Sequence, residues 1–198
     1  MTTSHLLYLH GFRSSPLSNK ARILGAWVAR HAPQVVWHCP QLEASPRSAL
    51  QQALGAVAGW PIQRMAVVGS SLGGFYATVL AERLGCKAVL LNPAVNPQRD
   101  LTRYVGEVQA WHSENRFEFR AEYIEQLRAM RPVDLTHLVR YYAVIARGDE
   151  LLDWREMTAR YAGARIKLLE GSDHALSDFE QHLAGIAKFL GLPSREGA

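Results

Sequence analysis

Short apolar runs alternate with helical patterns from the start of the chain. Residues 6–9 (Leu-Leu-Tyr-Leu) are apolar throughout, the pattern of a strand buried on both faces. Ser18 then opens a stretch in which Ile23, Leu24, Trp27 and Val28 share one helical face. Val35-Val36-Trp37 predicts a second strand. Ser45-Pro46 marks a helix start, with Ser at the N-cap and Pro at the first helical position, where its missing N–H costs nothing. Leu50, Ala53, Leu54 and Val57 supply that helix's apolar face. Residues 65–68 predict a third strand running into a Gly-Ser-rich turn. Leu72–Leu84 is apolar nearly all round, which predicts a deeply buried helix. Residues 88–91 predict a fourth strand, closed by Asn92-Pro93.

The rhythm then breaks. Residues 95–138 are too long for a simple crossover. They predict a small helical cap with at least one amphipathic helix, because Phe117, Tyr123, Ile124, Leu127 and Met130 recur at helical spacing. The alternation resumes with a fifth strand at Tyr141–Ala146, a helix near 154–161 and a sixth strand at 166–169. In the last helix Phe179, Leu183, Ile186 and Leu190 fall at i, i+4, i+7 and i+11, and Gly191 with Pro193 ends it. Strands buried on both faces and alternating with helices predict a mostly parallel, doubly wound α/β sandwich. Such folds bind ligands beyond the carboxyl ends of their strands, so chemistry is expected just after strands.

After the third strand the chain reads Gly69-Ser70-Ser71-Leu72-Gly73-Gly74, a G-x-S-x-G centred on Ser71. At average Gly and Ser frequencies the pattern arises by chance in about one chain in fifteen of this length. A plain glycine-rich turn, such as a phosphate-binding loop, is the alternative. Placement at a strand-to-helix junction is what a nucleophile elbow demands, and it favours Ser71 as a nucleophile. After the first strand comes His10-Gly11-Phe12. If strands one and three are neighbours, the Phe12 N–H and the Leu72 N–H, next after the nucleophile, form an oxyanion hole.

A serine hydroxyl needs a base to take its proton. Of the eight histidines only His174 follows a late strand and precedes the final helix. His10 precedes Ser71 in the chain and fits a turn better; His5, His38, His112, His137 and His182 read as structural or solvated. A carboxylate must orient the base. Asp149, soonest after the fifth strand, is the first choice, with Glu150, Asp153 and Asp173 as competitors. The order Ser71, Asp149, His174, each after its own strand, is that of α/β-hydrolases. Trp111, Tyr104, Phe117 and Phe119 either line an apolar acyl pocket or pack the insertion's core.

Composition adds mainly exclusions. The 198 residues are 48% hydrophobic and 20% charged, which suits one globular domain spanning 1–198 with its insertion at about 95–138. No apolar run approaches the ~18–20 residues of a membrane span. No secretory leader is expected, since the apolar stretch at 6–9 is stopped by His10-Gly11. The net charge of +4 is spread out, without the basic stripe of a nucleic-acid binder. From Arg99 to Arg131 acids accompany the bases, as on a salt-bridged surface. Cys39 and Cys86 belong to no C-x-x-C pair, which points to two unpaired thiols in a reducing cytoplasm rather than a disulfide framework or zinc site.

Five passages together resemble the small bacterial YqiA/YcfP-type esterases of the α/β-hydrolase superfamily. They are residues 8–16 (Tyr-Leu-His-Gly-Phe-Arg-Ser-Ser-Pro), 69–74, Leu91-Asn92-Pro93-Ala94, Gly148-Asp149-Glu150 and Asp173-His174-Ala175. They keep their order over nearly the whole chain. No metal is expected, and the substrate is read as a small-molecule acyl ester, with an acyl-CoA thioesterase or a catalytically silent hydrolase-fold binding protein as alternatives. The resemblance implies a cytoplasmic serine esterase without cofactor. It places the nucleophile on Ser71, the acid on Asp149 and the base on His174. It also implies a sheet lacking the first two strands of larger relatives, six strands in spatial order 2-1-3-4-5-6. The insertion departs from the family pattern and leaves the acyl group open; the sequence leaves the oligomeric state open too.

Overall fold

The computed structural model describes residues 2–109 and 116–192. In chain order its strands are β1 (His5–Leu9), β2 (Val36–His38), β3 (Met65–Ser70), β4 (Lys87–Leu91), β5 (Gly106–Gln109), β6 (Arg116–Phe119), β7 (Tyr141–Ala146) and β8 (Arg165–Leu169). Six of them form one sheet in the order β2-β1-β3-β4-β7-β8, and β5 and β6 pair separately. All five pairings in the large sheet are parallel. Counting only that sheet's strands, the order is the expected 2-1-3-4-5-6; the insertion's hairpin raises the last two numbers by two.

Side-chain alternation along each strand divides the core in two. On one face Leu6, Tyr8, Val68, Val89 and Val144 meet α1 (Asn19–His31) and α7 (Leu183–Leu190). On the other, Leu7, Leu9, Val67, Leu90 and Ile145 meet α2 (Pro46–Ala56) and α3 (Leu72–Leu84). The Ser45 hydroxyl caps α2, accepting from the Ser48 N–H at 3.4 Å. In α3 ten consecutive residues, Leu72 to Ala81, are buried, as an all-round apolar helix requires. The central strands β3 and β7 are buried along their full length. The outermost strands β2 and β8 are only partly covered, so their apolar runs do not mean burial on both faces.

The insertion differs from the helical cap expected for it. It holds the short α4 (Pro97–Asp100), the antiparallel β5–β6 hairpin and α5 (Ala121–Met130). Phe117 belongs to β6, opposite Val108, not to a helix. Arg116-Phe117-Glu118-Phe119 alternates with period 2, and its helical spacing to Tyr123 is coincidental. Tyr123, Ile124 and Leu127 are the buried face of α5, as expected. The exposed pairs Arg116–Glu107, Arg120–Glu118 and Arg128–Glu125 are the anticipated salt-bridged surface. The final helix also begins differently, with a 3-10 turn at Phe179–His182 before α7 (Leu183–Leu190). Gly191, in the left-handed region, ends it; Pro193 lies outside the described residues. No helix among the described residues is long and apolar enough to cross a membrane.

Candidate active site

Between β3 and α3 a single residue, Ser71, makes the turn, with φ 55° and ψ −120°. A non-glycine residue held there stores about 1–3 kcal/mol of strain, so its surroundings must over-determine it. They do. The Ser71 N–H donates to the Leu91 carbonyl at 3.0 Å, and the Ser71 carbonyl accepts from the N–H groups of Ala94 at 3.0 Å and Gly74 at 2.9 Å. The glycines two before and two after Ser71 are steric necessities. A Cβ on Gly69 would stand 2.1 Å from the Gly73 carbonyl oxygen, and one on Gly73 only 2.0 Å from that of Leu9.

The loops after β7 and β8 bring Asp149 and His174 to this turn. Asp149 Oδ2 lies 2.7 Å from His174 Nδ1, and His174 Nε2 lies 3.1 Å from Ser71 Oγ. A carboxylate can only accept, so Nδ1 carries the proton and Nε2 is free to accept from the Ser71 hydroxyl. The second Asp149 oxygen accepts from the N–H groups of Leu151 at 2.9 Å and Leu152 at 2.8 Å. The Asp149 side chain is fully buried, while the imidazole of His174 keeps 17% of its surface. The loops can approach because Gly148 has no side chain; a Cβ there would stand 2.2 Å from the Ser172 carbonyl oxygen.

The competing acids have other partners. Asp153 is the N-cap of α6 (Trp154–Arg160), accepting from the Arg155 N–H at 2.9 Å. Glu150 accepts from the His174 backbone N–H at 3.0 Å, a contact between the two loops that the sequence did not suggest. Asp173 accepts from the N–H and hydroxyl of Ser177. The other histidines also find separate places. His10 is buried, with Nδ1 3.0 Å from the Gly11 carbonyl and Nε2 accepting from the Leu42 N–H at 3.0 Å. Burial holds its pKa below the ordinary histidine value, against the pull of the Gly11 carbonyl. The ring thus braces the first loop as a neutral imidazole. His182 sits between Lys167 Nζ and Asp178. His112 and Trp111 lie outside the described residues.

The His10-Gly11-Phe12 loop runs beside Ser71: the position of a Cβ on Gly11 is 3.2 Å from Ser71 Cβ. Leu72 is the first residue of α3, so its N–H has no partner within the helix. The loop and the helix start that carry the expected oxyanion donors, Phe12 and Leu72, both lie beside Ser71. The Phe12 ring is enclosed by Tyr104, Phe117 and Phe119, with ring centroids 5.3, 6.0 and 5.1 Å away. Phe119 is 1% exposed and packs the insertion's core, while Tyr104 and Phe117 are half-buried. The insertion thereby packs against the His10-Gly11-Phe12 loop. Among the described residues no group of three His, Cys, Asp or Glu side chains is placed to hold a metal ion.

Lys20 was also missed. It lies in the first turn of α1, where the helix dipole disfavours a cation. That misplacement is its one sequence signal. Its Nζ donates to the Ala175 carbonyl at 2.5 Å, one residue beyond His174. Burial pulls its pKa down to about 8, against the attraction of Asp173 and Asp149. Unfolding returns the amine to its ordinary value of 10.5. Between those values the unfolded chain binds a proton at Lys20 that the folded chain lacks, so this group's contribution to stability rises with pH through the window. In thermal melts from pH 8 to 10.5 the Tm of the parent minus that of Lys20→Met should grow with pH, a difference in which the cysteine and tyrosine contributions cancel. Parallel profiles would mean that Lys20 titrates normally.

A family model described as "Uncharacterised protein family (UPF0227)" matches residues 5–191. Solved structures share the fold at low identity. One is Est1E from Butyrivibrio proteoclasticus with ferulic acid bound, at 14% identity and a TM-score of 0.70, covering 96% of this chain and 87% of that one. Another is the alpha/beta hydrolase domain-containing protein 10 from mouse, at 12% identity and 0.70, with 96% and 90% covered. A third comes from work on LipS and LipT, two metagenome-derived lipolytic enzymes, at 18% identity and 0.71, with 96% and 94% covered. The match over the whole sheet and the loops after β1, β3, β7 and β8 places this α/β-hydrolase-fold chain in the UPF0227 family.

Proposed function

We propose that this protein is a serine hydrolase that cleaves carboxylic esters through an acyl-enzyme. The observation that carries the reading is the unbroken hydrogen-bonded line from Ser71 through His174 to the buried Asp149 at a strained elbow. Ser71 Oγ attacks the acyl carbonyl while His174 Nε2 takes its proton. The N–H groups of Phe12 and Leu72 hold the oxygen that gains the negative charge. His174 gives its proton to the departing alcohol, leaving the acyl group on Ser71. Water, deprotonated by His174, attacks that ester, and the proton returns to Ser71 as the acid leaves. Asp149 keeps the imidazole in the right tautomer and stabilises its charged form. The esterase and lipolytic descriptions of structural neighbours support the same class of small acyl substrate. In this reading residues 1–198 form one catalytic domain with residues 95–138 as its cap. The free thiols Cys39 and Cys86, whose pKa values burial pushes up to about 12 and 11, suit a cytoplasmic setting.

The test is labelling with a fluorophosphonate, followed by a panel of esters and thioesters of graded acyl length. A single adduct on Ser71 and turnover of esters are expected. Faster turnover of acyl-CoA thioesters would move the substrate class while keeping the mechanism. No adduct on folded protein would overturn the reading in favour of a silent acyl-binding protein.

A further inference from the structure

Asn92 stands outside the proposed reaction, yet its side chain joins the His174 loop to the end of the strand that leads to Asp149. It follows β4, is fully buried and has φ 42°. Its side-chain nitrogen donates to two successive carbonyls of the base's loop, Asp173 at 2.9 Å and His174 at 3.2 Å. Its side-chain oxygen accepts from the Ala146 N–H at 2.8 Å, at the end of the strand that leads to Asp149. Carbonyls only accept and the Ala146 N–H only donates, so the amide's orientation is fixed by its partners. Its backbone N–H donates to the Val144 carbonyl at 3.0 Å. The residues around it hold the nucleophile: the Leu91 carbonyl and the Ala94 N–H bond Ser71 on either side.

We propose that Asn92 is a positioning residue that sets the His174 loop against the Asp149 loop and the Ser71 turn. The proposal rests on the reading of His174 as the base. Asn92 is 0% exposed, so no water competes for its side chain. Both its N–H donors and its acceptor are engaged, and the left-handed φ suits Asn or Gly among few residues. No other residue type offers two donors, one acceptor and that backbone at this volume. Aspartate is isosteric, but it would turn an oxygen toward two carbonyl oxygens. Loss of the tether would let the imbalance fall on His174, whose carbonyl Asn92 holds directly.

The experiment is a double-mutant cycle of Asn92→Gly and His174→Ala on ester hydrolysis. Glycine accepts the positive φ and deletes only the side chain. Asn92→Gly alone is expected to lower kcat about 10²-fold with KM little changed, the effect of a misplaced catalytic group. In the His174→Ala background the same change should cost less than about twofold, since residues acting as a unit are not additive. Equal losses in both backgrounds would overturn the proposal, because a general disturbance of the fold does not depend on His174. Full activity of His174→Ala alone would instead overturn the base assignment, a separate outcome. If the glycine variant fails to fold, Asn92→Asp decides. Its activity relative to the parent should recover as pH falls from 8 to 5, when the carboxyl regains a proton to donate. A pH-independent ratio would sink the proposal.

Discussion

Ser71→Ala is expected to lower ester turnover by about six orders of magnitude, the scale of nucleophile removal in well-studied serine hydrolases. The fold should survive, because the Ser71 hydroxyl faces His174 while the backbone makes the structural bonds. Ser71→Gly should be equally inactive and more stable than the parent. The reason is the φ of 55°, which alanine tolerates no better than serine. Relief of ~1–3 kcal/mol of strain exceeds the ~0.5–1 kcal/mol entropic cost of glycine. A net gain of 1 kcal/mol raises Tm by roughly 2–4 °C in a protein of this size. Steady-state kinetics and thermal melts on both variants check this. Surviving activity, or covalent label on the buried Ser70, would remove Ser71 from the mechanism.

The legible part of the site is the part made by short-range chemistry. Gly69 is forced by a collision with the Gly73 carbonyl four residues on in the same turn, so half of the motif carries its own geometry; Gly73 is forced by the distant Leu9 carbonyl at the end of β1. Asp149 and His174 are legible as candidates because each follows a strand with an apolar run. The hairpin was hidden for a local reason. Gly106-Glu107-Val108-Gln109 has one large apolar side chain, and Phe117 falls by chance into the spacing of the helix after it. Asn92 was hidden for a distant one. Its side-chain partners lie 54, 81 and 82 residues away, and an Asn-Pro pair after a strand reads as an ordinary turn. Glu150 likewise reaches 24 residues to the His174 backbone. Resemblance covered both passages but spoke only of the nucleophile, acid and base.

The proposed acid, Asp149, is where the structure gives the sharpest contrast between neighbours. Asp149→Asn is expected to give a folded enzyme with turnover lowered about 10⁴-fold. The two Leu151 and Leu152 N–H groups require an acceptor, so the new amide keeps its oxygen toward them and turns its NH₂ toward His174. Nδ1 must then accept, which moves the ring proton to Nε2. There it faces the Ser71 oxygen and cannot receive the serine's proton. Asp153→Asn should keep its activity. Its carboxylate caps α6 and is 47% exposed, and asparagine caps nearly as well, so the change in stability should be at the low end of the ~0.5–2 kcal/mol that losing a cap costs. Glu150→Gln should fall between them, since a glutamine oxygen can still accept from the His174 N–H but without the charge. Turnover and melting temperature on the three variants give the ranking. An active Asp149→Asn beside a dead Asp153→Asn would break the line from Asp149 to His174 and return the acid to the helix cap.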